Sequence, residues 1–368
     1  MNNKRMRMFE IIRGTAAILV ALLVALIFIL ICSDHPFTAL KYMLIAPIFT
    51  NGSISMNSIF TIFAAMTPII FTGLAVCVMF SSNQFNMFGE GSVMLGGFIA
   101  ALVGIYFSTG TYLDMFLCVA AGAIVCAALM YIPAIFKVKL DASEMVCSLM
   151  MNYIVMYVIL HFLLNKFADG SKGTVQTFPF AKTAHIPPLV AGGSKLTWGF
   201  VVAILFTVLV ALFMYRTRWG YAIRMVGINR SFAKYSGMKV GGIIVLSQVI
   251  GGLLAGMGGA IEVLGRFDTF LWRDLPGYGW TGITVAILAK NNPIFVPIAA
   301  FFIAYLNRGC TLMATYADVP AEMSDIIQAV VFLFFAAEQF LAKYRQKLVV
   351  AGAKDELESK PAAEGGKA

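Results

Sequence analysis

The sequence predicts an all-α fold, a polytopic integral membrane bundle of about 8–10 transmembrane helices. Of the 368 residues 60% are hydrophobic and only 12% are charged, whereas soluble domains carry roughly 25% charged residues. The mean hydropathy of +0.86 agrees. Uncharged runs such as 14–33 and 242–261 are each long enough to cross a hydrocarbon core of ~30 Å. They are also too uniformly apolar for the alternating strands of a barrel.

The elements follow in order. Lys4, Arg5, Arg7 and Arg13 precede the first run, 14–33. That start resembles a secretory leader, yet the run exceeds an h-region of ~7–15 residues and no A-x-A site follows, so it is read as a retained first helix. Further spans are placed at 57–80, 86–107, 113–135, 145–164, 197–215 and 242–262, with a last one at 325–342. Two shorter runs, 281–289 and 293–307, are parted by Lys290-Asn291-Asn292-Pro293. A run of ~9–11 residues does not cross at 1.5 Å rise per residue, so flanking residues extend this pair or it forms a re-entrant hairpin. A transmembrane domain over 1–347 is then followed by a disordered cytoplasmic tail over 348–368, rich in charge, alanine and glycine.

Lysine and arginine set the sidedness. The N-terminal cluster, Lys137 with Lys139, the block from Arg216 to Lys239, and Lys343, Arg345 and Lys347 fall on one side if the segments alternate. Both termini are therefore expected in the cytoplasm. The outer loop 165–196 weakens the pattern slightly, with Lys166, Lys172, Lys182 and Lys195 against one acid. The net charge of +9 reflects topology and anionic lipid rather than nucleic acid. Six cysteines lie mainly in apolar runs without C-x-x-C pairs, and His35, His161 and His185 are scattered, so no metal or cofactor is expected. There is no Walker loop, nucleophile elbow or H-E-x-x-H, which argues against an enzyme and for an external energy source.

Small residues mark two helix faces: Ser92, Gly96, Ala100 and Gly104, and Gly251, Ala255 and Gly259 beside Gly252, Gly256 and Ala260. Four-residue spacing of this kind lets helix backbones approach closely in lipid.

Two stretches bear chemistry. In FNMFGEGSVMLGGFIAALVG, residues 85–104, Glu90 stands in an otherwise uncharged run. An intramembrane carboxylate avoids lipid, so Glu90 is expected to face protein or a wet cavity. Gly89 and Gly91 argue for a backbone break whose free N–H groups meet a carboxylate or a polar ligand. Glu90 either lines a pathway or merely caps the break. The second stretch, 216–242, holds Arg216, Arg218, Arg224, Arg230, Lys234 and Lys239 and no acid. Between Gly227 and Gly237 there is room for about two helical turns, with Asn229 as N-cap and Gly237 past the C-terminus. Phe232 and Tyr235 would share a face. That suits docking into a soluble partner, although a plain basic loop is the simpler reading from composition.

Taken together, three stretches resemble the permease subunits of ABC importers in the branched-chain amino acid and simple sugar superfamily, in the nucleoside-type branch. FNMFGEGSVMLGGF is similar to that branch's F-N-I-G-x-E-G-Q with a following L-x-G, and ASEMVCSLMMNYIVMYVILHFL, 142–163, to its N-E-V-I-x-x-x-M-L-N-Y. The most specific stretch is VGINRSFAKYSGMKVGGIIVLSQVIGGLLAGMGGAIEVLG, 226–265, followed by GYGWTGITVAILAKNNP, 277–293. The resemblance runs from residue 57 to 342. Phe88, Ser143 and Ser92 depart from the branch's glycine, asparagine and glutamine, and Phe232-Ala233 replaces an Ala-Ala pair. No ribose-type I-D-L-S-V-G-S motif is present.

The resemblance implies a plasma-membrane subunit that pairs with an identical or homologous second permease. It would receive solute from an extracytoplasmic binding protein and be driven by cytoplasmic ABC ATPase subunits. Gly227, Asn229, Arg230, Phe232, Ala233, Lys234, Tyr235 and Gly237 would form the ATPase coupling helix. For a nucleoside cargo, Asn86 and Glu90 would line the pathway, with Asn152 and Tyr153 on a neighbouring span and Trp280 near the outer mouth. Asn152 equally suits an interhelical hydrogen bond. A simple sugar is the alternative cargo. A stand-alone gradient-driven carrier using Glu90, Glu262 and Glu338 is the alternative mechanism.

Overall fold

The structure, a computed structural model, describes residues 35–317 except 51–52, 171–172 and 191–194, together with positions 23, 24, 26, 27, 30, 319, 326, 329 and 330. The expected first helix at 14–33, last span at 325–342 and tail at 348–368 fall almost wholly outside these residues. The chain divides into two compact units, Met1–Ile45 with Gly309–Ala368, and Ala46–Arg308. Within the first, helix α1 (Pro36–Leu44) starts with proline, which has no N–H to satisfy at that position. The Tyr42 ring stacks on Tyr316, with centroids 5.4 Å apart.

The second unit opens with a two-residue antiparallel ladder, β1 (Phe49–Thr50) against β2 (Ser53–Ile54). Then come α2 (Met56–Ser81), α3 (Gly89–Tyr106), α4 (Leu113–Leu140) and α5 (Glu144–Phe162), the last prolonged by a π-helical turn to Phe167. They are followed by α6 (Gly199–Arg216), α7 (Arg218–Ile228), α8 (Arg230–Tyr235), α9 (Val240–Arg266), α10 (Tyr278–Leu288) and α11 (Val296–Tyr316), the last belonging to this unit as far as Arg308. Among the described residues seven helices are long and apolar enough to cross a membrane: α2 to α6, α9, and α11 with its preceding 3-10 turn.

Hydrophobicity all round a helix removes any preferred wet face, so tertiary packing decides which helices lie inside. Helices α2 and α3 are buried over 89% and 72% of their apolar lengths, against 28% for α4 and α6. Around them, α9 packs on α2, α3 and α4, and α10 on α2 and α3.

The two small-residue faces meet each other. A Cβ at Gly96 of α3 would run into the Gly256 backbone of α9, and one at Gly259 would strike the Val93 carbonyl. Gly122 of α4 completes the contact, since a Cβ there would lie 2.7 Å from the Gly96 carbonyl oxygen. Three backbones thus touch where side chains would hold them apart, which maximises dispersion contacts where lipid supplies no hydrophobic drive.

The doubtful pair resolves unequally. Helix α10 has eleven residues, about 16 Å of rise. The second run continues to Tyr316 and, with its 3-10 turn, reaches 24 residues, enough to cross.

Alanine at Gly96 or Gly259 is expected to destabilise the protein by about 1–3 kcal/mol through overpacking. Alanine at Gly242, which has open space within 4 Å, should be tolerated. Thermal unfolding in detergent of the three variants checks both outcomes.

Candidate functional site: a joint between two helices

Between α2 and α3 the chain leaves helical geometry over 82–88, and polar side chains from two neighbours hold this joint. Helix α5 supplies a ladder. Glu144 accepts from the Phe85 N–H (2.5 Å), Ser148 from the Met87 N–H (3.0 Å) and Asn152 from the Gly91 N–H (2.8 Å). Asn152 also donates to the Met87 carbonyl at 3.0 Å. From α9, Gln248 accepts from the Asn86 amide (2.7 Å) and donates to Glu144 (3.2 Å), while the Ser247 and Ser82 hydroxyls pair at 2.8 Å. Asn86 turns its own oxygen back to the Phe88 N–H at 2.8 Å. Irregular backbone at membrane depth survives only with such satisfaction.

The joint climbs into the bundle. Ser82 meets Ser247 and Val93 meets Gly259, twelve residues along α9 or about 18 Å apart. Helix α3 therefore begins well inside the bundle, and Glu90 lies there, 1% exposed. Its carboxylate accepts from the N–H groups of Gly277, Gly279 (2.5 Å) and Trp280 (3.3 Å) at the start of α10. Helix N-termini leave N–H groups unpaired and carry partial positive charge. Here the anion that answers them comes from another helix. Gly277 enters α10 with φ +85°, a conformation glycine adopts without steric cost.

A second acid flanks the same segment. Glu262 of α9 is buried, accepts from the Tyr278 hydroxyl at 3.0 Å and pairs with Arg266 at 2.6 Å. The start of α10 is thus clamped from α3 and from α9.

At the other end of the joint sits α8. Asn229 caps it, accepting from the Phe232 N–H at 3.0 Å, and Gly237 follows it with φ +79°. Ala233 is its buried residue, whereas Arg230, Phe232, Lys234 and Tyr235 are exposed. A Cβ at Gly227 would strike the Ser81 carbonyl, and the Arg230 guanidinium reaches the Asn83 carbonyl at 3.5 Å. The charge of Arg230 also helps hold the Asp141 carboxyl below its usual range, after the larger effect of the Lys137 hydrogen bond. The short basic helix therefore abuts the joint, and its Arg230 lies within electrostatic reach of the α4–α5 corner.

The sequence-predicted residues separate into two groups. Asn86, Glu90 and Asn152 are buried and hydrogen-bonded within the protein, whereas Tyr153 and Trp280 are 53% and 42% exposed. Because α10 is a half-length helix, its first turn and Trp280 lie level with Glu90. Glu144, Ser148 and Gln248 were missed as site residues, and Glu262 was noted only as a possible proton carrier. Glu144 and Gln248 do fall inside the quoted motifs, a signal that polar residues there had partners.

The family described as branched-chain amino acid transport system / permease component matches residues 58–336. The guanosine ABC transporter permease protein NupP of Bacillus subtilis is 31% identical over 78% of this chain and 83% of its own. The glucose ABC transporter permease protein TsgB13 of Haloferax volcanii is 30% identical over 76% of each chain. The nucleoside ABC transporter permease protein NupB of Lactococcus lactis is 28% identical over 80% of this chain and 83% of its own.

Replacing Glu90 by alanine strands three backbone donors and is expected to destabilise the protein by about 2–4 kcal/mol. Glu90→Gln keeps one acceptor and should fall between. Unfolding midpoints in detergent check the order.

Proposed function

The chain belongs to the branched-chain amino acid transport system permease family, and from this premise we propose that it translocates a nucleoside or related neutral solute. In this reading an extracytoplasmic binding protein delivers the solute, a second permease completes the channel, and ABC ATPases bind α8 on the cytoplasmic side. The observation that carries the coupling is the seating of α8. Its capped, exposed basic face is free for an ATPase groove, while Gly227 and Arg230 touch the joint that leads to Glu90. A push on α8 is delivered to the start of α3 and, through Glu90, to α10.

Two points support a neutral nucleoside. In transporters built on discontinuous helices, half-helix N-termini receive anionic substrate groups. The N-terminus of α10 is filled by the protein's own Glu90, leaving no such receptor there for an anionic cargo. NupP and NupB are named for guanosine and nucleosides. Tyr153 and Trp280 offer exposed aromatic faces for a base, while Asn86, Glu90 and Asn152 position the walls of the pathway. Because TsgB13 is named for glucose, a simple sugar is the second reading.

The complex purified with its companion subunits and reconstituted in liposomes should accumulate guanosine or adenosine only with ATP at the ATPase face. Accumulation by this subunit alone would overturn the proposal. Ala233→Pro, or Arg230→Glu with Lys234→Glu, should leave membrane abundance intact while uptake falls about tenfold or more, as expected when about 1.4 kcal/mol or more of coupling is lost. Uptake and ATP hydrolysis measured together separate uncoupling from failed assembly.

A further inference from the structure

The outward faces of the peripheral helices are not alike. Between Phe116 and Ile132 on α4 the exposed side chains are apolar apart from a single tyrosine, Tyr131, and between Val201 and Leu212 on α6 every one is apolar. Those faces suit lipid. Helix α5 differs. Its exposed surface carries Tyr153, Tyr157, His161 and Asn165, an inclined row at four-residue spacing. The row extends over about 18 Å, from the level of the joint, where neighbouring Asn152 holds the Gly91 N–H, to the end of the span.

Aromatic belts place tyrosines at the ends of spans. They do not account for Tyr153, nine residues or about 14 Å into α5. Polar groups facing hydrocarbon are costly unless partnered, and the Tyr153 and Tyr157 hydroxyls have no protein partner among the described residues. Further along, the Asn165 amide donates to the His161 carbonyl at 2.9 Å and lies 3.2 Å from Nδ1. With Nδ1 accepting, the ring hydrogen sits on Nε2 and is available for a ligand.

We propose that this row of α5 is the water-lined face along which the solute moves, with Tyr153 and Tyr157 stacking its base and His161 and Asn165 hydrogen-bonding its polar edge or ribose. The assignment rests on the importer reading above and deepens it, adding Tyr157, His161 and Asn165 to Tyr153. Alternating π-faces and polar tips tolerate any base, which suits a surface that must pass cargo on rather than retain it. Buried Asn152, adjacent to Tyr153, fixes the register of this row to the joint. Movement of α3 is thereby transmitted to the stacking face.

The test uses the assembled complex with single cysteines at Tyr153, Tyr157, Ile124 or Val208 and a membrane-impermeant methanethiosulfonate. Because the hydrated thiolate attacks the reagent's sulfenyl sulfur, forming a disulfide and releasing methanesulfinate, cysteines at 153 and 157 should react at least about tenfold faster than those at 124 and 208. Saturating guanosine should slow the reaction. In proteoliposomes, Tyr157→Ala should raise the uptake KM by about fivefold or more, the loss of one base–aromatic stack, and His161→Gln by about 2–10-fold, one ligand hydrogen bond, with ATPase coupling unchanged. Equal reaction rates at all four positions would overturn the proposal, as would fast labelling that no transported solute slows. Protection by glucose but not by guanosine would overturn the base-stacking assignment and the nucleoside reading while leaving the energy-coupling scheme standing.

Discussion

The Glu90 carboxylate is the contact on which this architecture turns. A half-length helix beginning inside a membrane protein exposes several N–H groups with no water to take them, and each unsatisfied group costs free energy. Glu90 resolves that cost for α10 and is itself stabilised by the same donors. The arrangement dictates its surroundings. Helix α3 must start at the same depth, so the joint at 82–88 must be irregular, and α5 and α9 must supply the ladder that satisfies it. Close approach of α3 to α9 is needed as well, and glycine on both sides permits it.

Viewed as a chain of contacts, the molecule runs from α8 through the joint to the bundle centre. Helix α8 touches the joint, the joint enters α3, and α3 holds both α10 through Glu90 and α5 through Gly91. Packed elements shift between discrete arrangements rather than deforming continuously. A small displacement at α8 can therefore reappear as a displacement of α10 and α5 together.

What the sequence disclosed follows the range of the interactions. Asn229 and Gly237 were legible as the ends of α8 because caps are local chemistry, set by residues within one turn. A break was expected at Gly89 and Gly91, whereas the irregular backbone lies just ahead of them at 82–88 and both glycines belong to the first turn of α3; the two small-residue faces were legible as packing surfaces. That they pack on each other was not. Nor was the partner of Glu90, because Gly277 lies 187 residues away and a backbone N–H leaves no mark in sequence. The asymmetry of α10 and α11 escaped periodicity too, since the polar Asn307-Arg308-Gly309 stretch interrupts the apolar run while the helix continues through it to Tyr316. Tyr153 was singled out by its motif. Its companions Tyr157 and His161 needed knowledge of which face of α5 points outward.

The internal pairing of charge has an electrical consequence. Moving one elementary charge across a membrane potential is worth about 2.3 kcal/mol per 100 mV. Glu262 is balanced by Arg266 one turn away, whereas the helix terminus that holds Glu90 is a dipole without net charge. The Glu262–Arg266 couple shifts as a neutral dipole when the helices move. That pair is displaced with little work against the transmembrane field, so burying Glu262 adds almost no voltage dependence to the motion of α9.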